Sequence, residues 1–257
     1  MRIVVALKQV PDLVEELELV PDGTDVDREF LKMVVNEFDD QALEEALCLK
    51  EATGAEVVVV TLDEPDVDQT LYTALAKGAD AAVKLTGAPE GWVDGHRRAS
   101  LLASWLSGEP YDLVLTGVQA ADDLDGQLPG LLGAMLGVPH AAVVVRVEAE
   151  SGTARVWQEL AGGTVEVESV RLPAVVGVQA ARQAPRYVSI SRIRQAQQSG
   201  AITEVPAAAP ETAAGDFVLR RLVVPEASSH AEMLAGDAGA VAARIVELIA
   251  SKGLVRG

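Results

Sequence analysis

A doubly wound parallel α/β sheet, extended by an antiparallel meander and a C-terminal arm, is the fold class that this sequence predicts. Five short apolar runs alternate with helical patterns, and the runs are continuous in Val and Leu, which is typical of parallel strands covered on both faces. Near residue 141 the pattern changes to alternating segments separated by SG and GG turns, which predicts antiparallel strands. The chain has 257 residues, 49% of them hydrophobic, enough for one sizeable core with a small appendage.

The apolar runs are the predicted parallel strands, at residues 2–10, 55–62, 81–86, 111–117 and 172–178. Helical patterns fill the first three intervals, at residues 36–54, 66–80 and 96–110, so strands and helices alternate as in a doubly wound fold. In the first helix, Asn36 is the expected N-cap and Gly54 the expected end.

The last quarter of the chain predicts an arm rather than a second domain. We expect a short helix at residues 191–200, a linker in the Ala/Pro-rich segment 201–216, a strand at 217–226 and an apolar-faced helix at 236–255. We therefore divide the chain into a nucleotide-binding α/β domain, 1–197, and a linker with C-terminal arm, 198–257. The arm is too small to fold alone, so it must pack on the main domain or on a partner subunit, and we expect the partner.

Charge and composition exclude several classes of function. The formal net charge of −18 repels a phosphate backbone, so nucleic acid is not an expected partner. No apolar run approaches the ~20 residues that span a bilayer, and no secretory leader is apparent, so we expect a cytoplasmic protein that is not membrane-embedded. Cys48, the only cysteine, reads as an inert buried thiol, and His96, His140 and His230 lack metal-ligand spacing.

The segment GVQAADDLDGQLPG, residues 117–130, is the expected phosphate site. It follows a buried strand and leads into a helix whose first turn carries Pro129. Helix N-terminal amides beside the carboxyl end of a parallel strand favour anions, and Gly117, Gly126 and Gly130 permit a close approach of the backbone. Taken alone, this segment predicts a nucleotide-binding crevice.

Three aspartates in this segment allow two interpretations. Asp122, Asp123 and Asp125 either cap the helix and orient the loop, the more economical interpretation, or hold Mg²⁺. No Walker A, GxSxG, HExxH or CxxC pattern occurs, and no GxGxxG follows the first strand, so an enzyme is not expected and no catalytic residue is assigned.

Five co-linear segments resemble the beta subunit of electron-transfer flavoproteins. They are VVALKQVPD, MVVNEFDDQALEEALCLKEA, TLYTALAKGAD, VLTGVQAADDLDGQ and LPAVVGVQAARQAPRY. The resemblance covers roughly residues 1–195. It implies an adenine nucleotide alpha hydrolase-like sheet and a heterodimer with an alpha subunit that holds most of the FAD. It also implies AMP as a structural nucleotide, with flavoprotein dehydrogenases as electron donors to a downstream acceptor.

The resemblance also implies which residues contact the nucleotide. The family's contacting positions fall here on Ala6, Asn36, Leu62, Gly117, Val118, Gln119, Ala120, Ala121, Asp122, Asp123, Leu124, Asp125, Gly126, Gln127 and Leu128. Alternatively, Ala6 and Leu62 are ordinary core residues and Asn36 is a helix cap.

Two departures from the family pattern affect function. Gly126 and Leu128 replace an asparagine and a threonine of typical members, at a cost of two hydrogen bonds of about 0.5–1.5 kcal/mol each. Electron-bifurcating members, which hold a second FAD and oxidise NADH, read DGDTAQVG here, so Asp123 favours the AMP type. Ala180 replaces a projecting leucine that anchors dehydrogenases, so the docking partner differs or Arg182 docks instead. A stand-alone nucleotide-binding regulator or ATP-using enzyme is the alternative from another class.

Overall fold

The structure is a computed structural model that describes residues 1–14, 16–29, 31–88, 93–123, 125–208, 219–225 and 233–254. The chain divides into two compact units, Met1–Leu222 and Val223–Gly257. The first unit contains the sheet and the site discussed below. No described helix is both long and apolar enough to cross a membrane.

The described strands are β1 (Arg2–Ala6), β2 (Gln9–Pro11), β3 (Met33–Val35), β4 (Glu56–Leu62), β5 (Ala81–Thr86), β6 (Leu113–Gly117), β7 (His140–Glu150), β8 (Thr153–Leu160), β9 (Thr164–Arg171), β10 (Ala174–Val178) and β11 (Ile202–Pro206). The described helices are α1 (Glu37–Thr53), α2 (Val67–Lys77), α3 (Gly95–Leu106), α4 (Leu128–Leu136), α5 (Ile190–Ser199) and α6 (Ala238–Ser251).

Nine strands form the main sheet in the order β11-β5-β4-β1-β6-β10-β7-β8-β9. Strands β11 through β7 run parallel to one another, while β8 and β9 continue from β7 as antiparallel neighbours. This arrangement confirms the predicted doubly wound sheet and the meander. The continuous Val and Leu runs mark the central strands because both of their faces are covered.

Alternate residues of β1 show how the two layers are built. Ile3 and Val5 belong to the apolar cluster that includes α1 residues, whereas Val4 and Ala6 belong to the cluster that includes α3 residues. Successive strand side chains point to opposite faces. The two clusters are therefore the two sides of one sheet.

Helix ends follow the predicted signals where a glycine supplies the turn. Helix α1 ends at Gly54, whose φ of 72° lies in the left-handed region, and its N–H donates to the Lys50 carbonyl. The predicted helix at residues 191–200 appears as α5, and the C-terminal helix appears as α6. Pro129 lies in the first turn of α4, as predicted.

The predicted linker was wrong at residues 202–206. These residues form β11, which pairs in parallel with β5 through residues Ala82 to Thr86 and so closes one edge of the sheet. An edge strand needs only backbone partners on one side and a half-buried side chain such as Ile202, so the low bulk of this segment did not prevent it from pairing. The compact units accordingly separate at residue 222 rather than at 197.

Two further segments differ from expectation. The described residues 219–225 of the predicted strand 217–226 are in no strand, while Phe217, Val218 and Glu226 lie outside the described residues. The strand predicted at 2–10 instead ends at Ala6, and Gln9–Pro11 pairs with Met33–Val35 as a separate antiparallel hairpin. This hairpin stands at the carboxyl edge of the main sheet.

Candidate functional site

The carboxyl ends of β1, β4 and β6 meet at one edge of the sheet, because adjacent parallel strands end on the same side. Three pieces of chain converge there: residues 7–9 after β1, the start of α1, and the predicted phosphate loop 117–128 after β6. Their mutual contacts decide which groups face a ligand and which hold the loop.

Asp39 joins these pieces. Its Oδ1 accepts a hydrogen bond from the Gly117 N–H at 2.8 Å, and its Oδ2 accepts one from the Lys8 N–H at 2.8 Å. Burial raises the pKa of Asp39 to about 6, against the lowering effect of the Gly117 and Lys8 amides and of the Asn36 side chain. Helix α1 is therefore attached to the ends of both β1 and β6 by one carboxyl group.

Asn36 occupies the N-cap position of α1, but its side chain makes no capping hydrogen bond. Its Nδ2 instead donates to the Gln119 carbonyl at 2.8 Å. The predicted cap was wrong in its contact, since the amide reaches across to the loop. Asn36 thereby holds the loop at Gln119, beside the contact that Asp39 makes with Gly117.

The loop aspartates orient the loop. Asp122 Oδ1 lies 2.6 Å from Lys8 Nζ, and Asp123 Oδ1 accepts from the Asp125 N–H at 3.3 Å. Neither caps α4, whose N-cap is Gln127, so the capping half of that interpretation was wrong. Among the described residues, no group of three or more His, Cys, Asp or Glu side chains is placed to hold a metal ion. Leu124, also assigned to the site, lies outside the described residues.

The three glycines of the loop, Gly117, Gly126 and Gly130, differ in how strictly their positions require glycine. A Cβ on Gly117 would lie 2.5 Å from Asp39 Oδ1 and 2.9 Å from the Asp39 backbone nitrogen, so the close approach at this position is that of α1. Gly126 has a φ of 63°, which side-chain-bearing residues rarely adopt. A Cβ on Gly130 would meet nothing nearer than 3.6 Å, so this position does not require glycine.

Several loop amides are already bonded within the chain. The N–H groups of Gly117 and Val118 donate to Asp39 and to the Val178 carbonyl, and Ala120 and Asp123 exchange backbone hydrogen bonds. By contrast, the described residues provide no acceptor for the N–H groups of Gln127 and Leu128, at the start of α4. The part of the loop that offers unpaired donors to an anion is therefore its last few residues.

Ala6 and Leu62 lie beneath the crevice. Both are buried in the apolar cluster on the α3 side of the sheet, so their side chains pack in the core. The structure thus agrees with the alternative interpretation of these two residues. Residues that follow them in the chain, including Lys8, Gln9 and Glu64, line the adjacent cavity.

A cavity of about 400 Å³ opens beside the loop. Ala121 and Asp122 from the loop line it, together with residues that the sequence analysis did not assign: Lys8, Gln9, Glu64, Val93 and Arg98. A signal for Arg98 was present in the sequence, because Leu101 and Leu102 follow it at the spacing of one helix face. A charged residue on an otherwise apolar helix face is unusual unless it is paired or faces a site.

Comparison with known proteins identifies the family to which these features belong. A family model described as the electron transfer flavoprotein domain matches residues 25–210. The chain belongs to the electron transfer flavoprotein family.

Relatives of this chain match it closely in length. It is 34% identical to the electron transfer flavoprotein subunit beta of Methylophilus methylotrophus, over 97% of this chain and 98% of that protein. It is 35% identical to the subunit beta of Clostridium acetobutylicum over 75% of this chain and 74% of the relative. It is also 35% identical to the mitochondrial subunit beta of Arabidopsis thaliana, over 77% and 78% of the two chains. The resemblance to electron-transfer flavoproteins is confirmed, and it places the chain among electron carriers rather than enzymes.

The electron transfer flavoprotein resemblance assigned docking roles to Ala180 and Arg182 in the loop that follows β10. Ala180 is half-buried. Arg182 is held by Glu45, whose side chain is 0% exposed. Arg182 Nη2 lies 2.8 Å from Glu45 Oε1 and also donates to the Val147 carbonyl. The Arg182 guanidinium thus has acceptors within the chain while 28% of the side chain remains exposed, and its docking role stays a prediction.

A second ion pair holds the same loop of this electron transfer flavoprotein chain. Arg186 Nη2 lies 2.9 Å from Glu44 Oε1, and the Arg186 N–H donates to Glu44 Oε2 at 2.9 Å. Burial raises the pKa of Glu44, but its hydrogen bonds with Arg186 outweigh burial and hold the pKa below its usual range. Glu44 and Glu45 were both inside the predicted helix 36–54, but no sequence pattern marked their long-range partners.

Cys48 is buried, and burial raises the pKa of its thiol to about 11, which confirms the inert thiol that was predicted. His230 lies outside the described residues.

Proposed function

We propose that the chain is the beta subunit of a heterodimeric electron-transfer flavoprotein in the cytoplasm, with AMP bound as a structural nucleotide. Its alpha subunit holds most of the FAD, and the complex carries electrons from flavoprotein dehydrogenases to a downstream acceptor. The observation that carries this proposal is the match to the family over residues 25–210. The matched range includes the start of α1 and the loop 117–128, which are two of the three pieces of chain that form the crevice.

The crevice supports an adenine nucleotide in one orientation. The phosphate lies at the start of α4, where the N–H groups of Gln127 and Leu128 have no acceptor among the described residues and the helix dipole favours an anion. Lys8 neutralises Asp122, which reduces the repulsion between the loop and a phosphate. The base and ribose then lie towards the cavity beside the loop.

The chain's own residues supply scaffold and position in this proposal. Asp39 and Asn36 hold the loop 117–128, while Ala6 and Leu62 support it from beneath. FAD supplies the redox chemistry when it is bound to the complex. Because the loop is fixed before the nucleotide arrives, little ordering free energy is spent on binding.

The test is to purify the chain alone and after co-expression with an alpha-type subunit, then to record absorbance spectra and extract the bound nucleotides. We expect a colourless lone chain, a yellow one-to-one complex, and AMP in the extract. Recovery of a second FAD, together with NADH oxidation by the complex, would show that the chain belongs to an electron-bifurcating flavoprotein and does not hold AMP. ATP hydrolysis by a lone chain that never retains flavin in a complex would overturn the proposal in favour of an ATP-using enzyme.

A further inference from the structure

Arg98 is a buried cation with a buried donor, Nε, that no described residue pairs. Its side chain, on α3, is only 5% exposed, and one Nη2 donates to Glu64. Its buried Nε has no hydrogen-bond partner among the described residues. A buried guanidinium that leaves donors unpaired is costly to the fold, so its position calls for a ligand that supplies the missing acceptors.

The cavity that Arg98 lines has largely apolar walls. Val26, Leu31, Met33, Pro65 and Val93 contribute to its lining, and its volume is about 400 Å³. Cavities of roughly 300–1,000 Å³ with apolar walls and a few fixed polar groups are typical of small-molecule sites. These walls suit a flat, uncharged ring system.

The charged groups around the cavity do not favour a phosphate. Each of the three cations among its described lining residues is paired with an acid: Lys8 with Asp122, Arg28 with Asp25, and Arg98 with Glu64. Asp66 adds a fourth carboxylate, so the lining carries one more acid than base. A dianion would be repelled here, whereas a neutral ring with acceptor atoms would not.

The cavity adjoins the predicted phosphate loop. Lys8 lines both the cavity and the narrow space beside residues 117–120, and Ala121 and Asp122 of the loop contribute to the cavity wall. A nucleotide with its phosphate at the start of α4 therefore has an apolar space for its base on the side of Arg98.

We infer that Arg98 is a specificity-determining residue that donates hydrogen bonds to ring acceptor atoms of the base of the bound adenine nucleotide. Glu64 holds the guanidinium in place by pairing with one of its nitrogens. Val93 and Met33 provide apolar surface beside the ring. This inference rests on the proposed function, and it assigns base recognition to a side chain rather than to the loop.

The test uses the full chain freed of nucleotide and titrates AMP and adenosine by calorimetry. Arg98→Lys keeps a positive charge opposite Glu64 but removes the planar set of donors. We expect this variant to lower the affinity for AMP and for adenosine by the same factor, about 10- to 100-fold. Hydrogen bonds from a charged donor to the base are lost in each case. The control is Arg97→Lys, on the same helix but outside the cavity lining, which should leave both affinities unchanged.

A second variant guards against a folding defect. Arg98→Met combined with Glu64→Met leaves no unpaired charge, and it should show the same loss for both ligands with its thermal unfolding transition retained. Loss of AMP affinity alone would show that Arg98 contacts the phosphate and would overturn the inference. If the wild-type chain binds AMP and the Arg98 variants bind both ligands with the same affinity as the wild type, the inference is overturned and the proposed function stands. A wild-type chain that binds neither ligand would overturn both.

Discussion

At the scale of single residues, Gly117 and Asp39 show how little space the crevice leaves. Asp39 is buried and receives two backbone N–H groups, one from each of two strand ends. At Gly117 the start of α1 comes so close that a Cβ would lie 2.9 Å from the Asp39 backbone nitrogen. The contacts made by these two residues are structural, and they place the loop before any ligand is bound.

Gly117→Ala is expected to destabilise the protein. The new Cβ would lie 2.5 Å from Asp39 Oδ1 and 2.8 Å from Phe38 Cβ, so α1 must move or the Asp39 hydrogen bond must break. We expect a loss of about 2 kcal/mol or more in the free energy of unfolding measured with denaturant. Gly130→Ala is the matched control, because its Cβ meets nothing nearer than 3.6 Å and alanine favours a helix. Equal losses in the two variants would contradict this account.

Asp39→Asn is expected to change how stability depends on pH. The pKa of Asp39 is about 6 in the folded chain against 3.8 for an aspartate exposed to water, so the folded state binds the proton more tightly. The wild-type free energy of unfolding should therefore fall, relative to the variant, as pH rises from about 4 through 6, by about 2 to 3 kcal/mol. Urea unfolding of both proteins at pH 4.5 and pH 7 measures the difference. Parallel pH curves would rule out this role for Asp39.

At the scale of elements, helix α1 buries two of its charged side chains, Glu44 and Glu45. Glu44 and Glu45 are 1% and 0% exposed, yet both are carboxylates on a helix that the sequence marks as amphipathic. Together they accept hydrogen bonds from Gln183, from the backbone and side chain of Arg182 and Arg186, and from the Val147 N–H. The loop after β10 is thus packed through ion pairs where an apolar side chain would ordinarily suffice.

Glu45→Ala is expected to cost about 3 kcal/mol of unfolding free energy, because it removes the buried acceptor of the Val147 and Arg182 backbone N–H groups and the carboxylate partner of the Arg182 guanidinium. Arg182 is 28% exposed, so water recovers part of the loss. The matched control is Glu51→Ala, which removes an exposed partner of Arg186 and should cost less than about 1 kcal/mol. Similar costs for both variants, measured by denaturant unfolding, would mean that burial of Glu45 contributes little.

At the scale of the whole molecule, the C-terminal unit has a feature that the proposed heterodimer explains. No described residue of α6 is buried, although Ile245, Val246 and Ile249 are apolar. An isolated helix of 14 residues is marginally stable in water, so an apolar surface against which α6 packs would stabilise it. The proposed alpha subunit would supply that surface.

Ile245→Asp combined with Ile249→Asp is expected to leave the thermal unfolding of the lone chain unchanged and to abolish co-purification with the alpha-type subunit. Charges placed on an apolar interface lose their hydration without gaining partners. Glu247→Ala, at an exposed position of the same helix, is the control and should co-purify normally. Retained co-purification of the double variant would show that the partner does not bind α6.

Much of this molecule follows from local patterns in its sequence, but its long-range pairs do not. Continuous Val runs and helix-ending glycines predicted the central strands and α1, because each depends on residues close in the chain. Strand β11 was missed because an edge strand is stabilised by its neighbour rather than by its own apolar content. Arg98 and the pair Glu44 and Glu45 were missed because their partners are remote: Glu64 lies 34 residues from Arg98, and Arg186 lies 142 residues from Glu44.

Helix α1 fixes the spacing between two parts of the molecule. Its first turn holds the crevice through Asp39, and about one and a half turns later Glu44 and Glu45 hold the loop after β10. Each residue advances a helix by about 1.5 Å and turns it by about 100°. A single deletion between residues 39 and 44 would rotate one set of carboxylates away from its partners even if every side chain were kept. The number of residues in this stretch is therefore constrained as strictly as their identity. Helix α1 sets both the distance and the rotation between the crevice and the loop after β10.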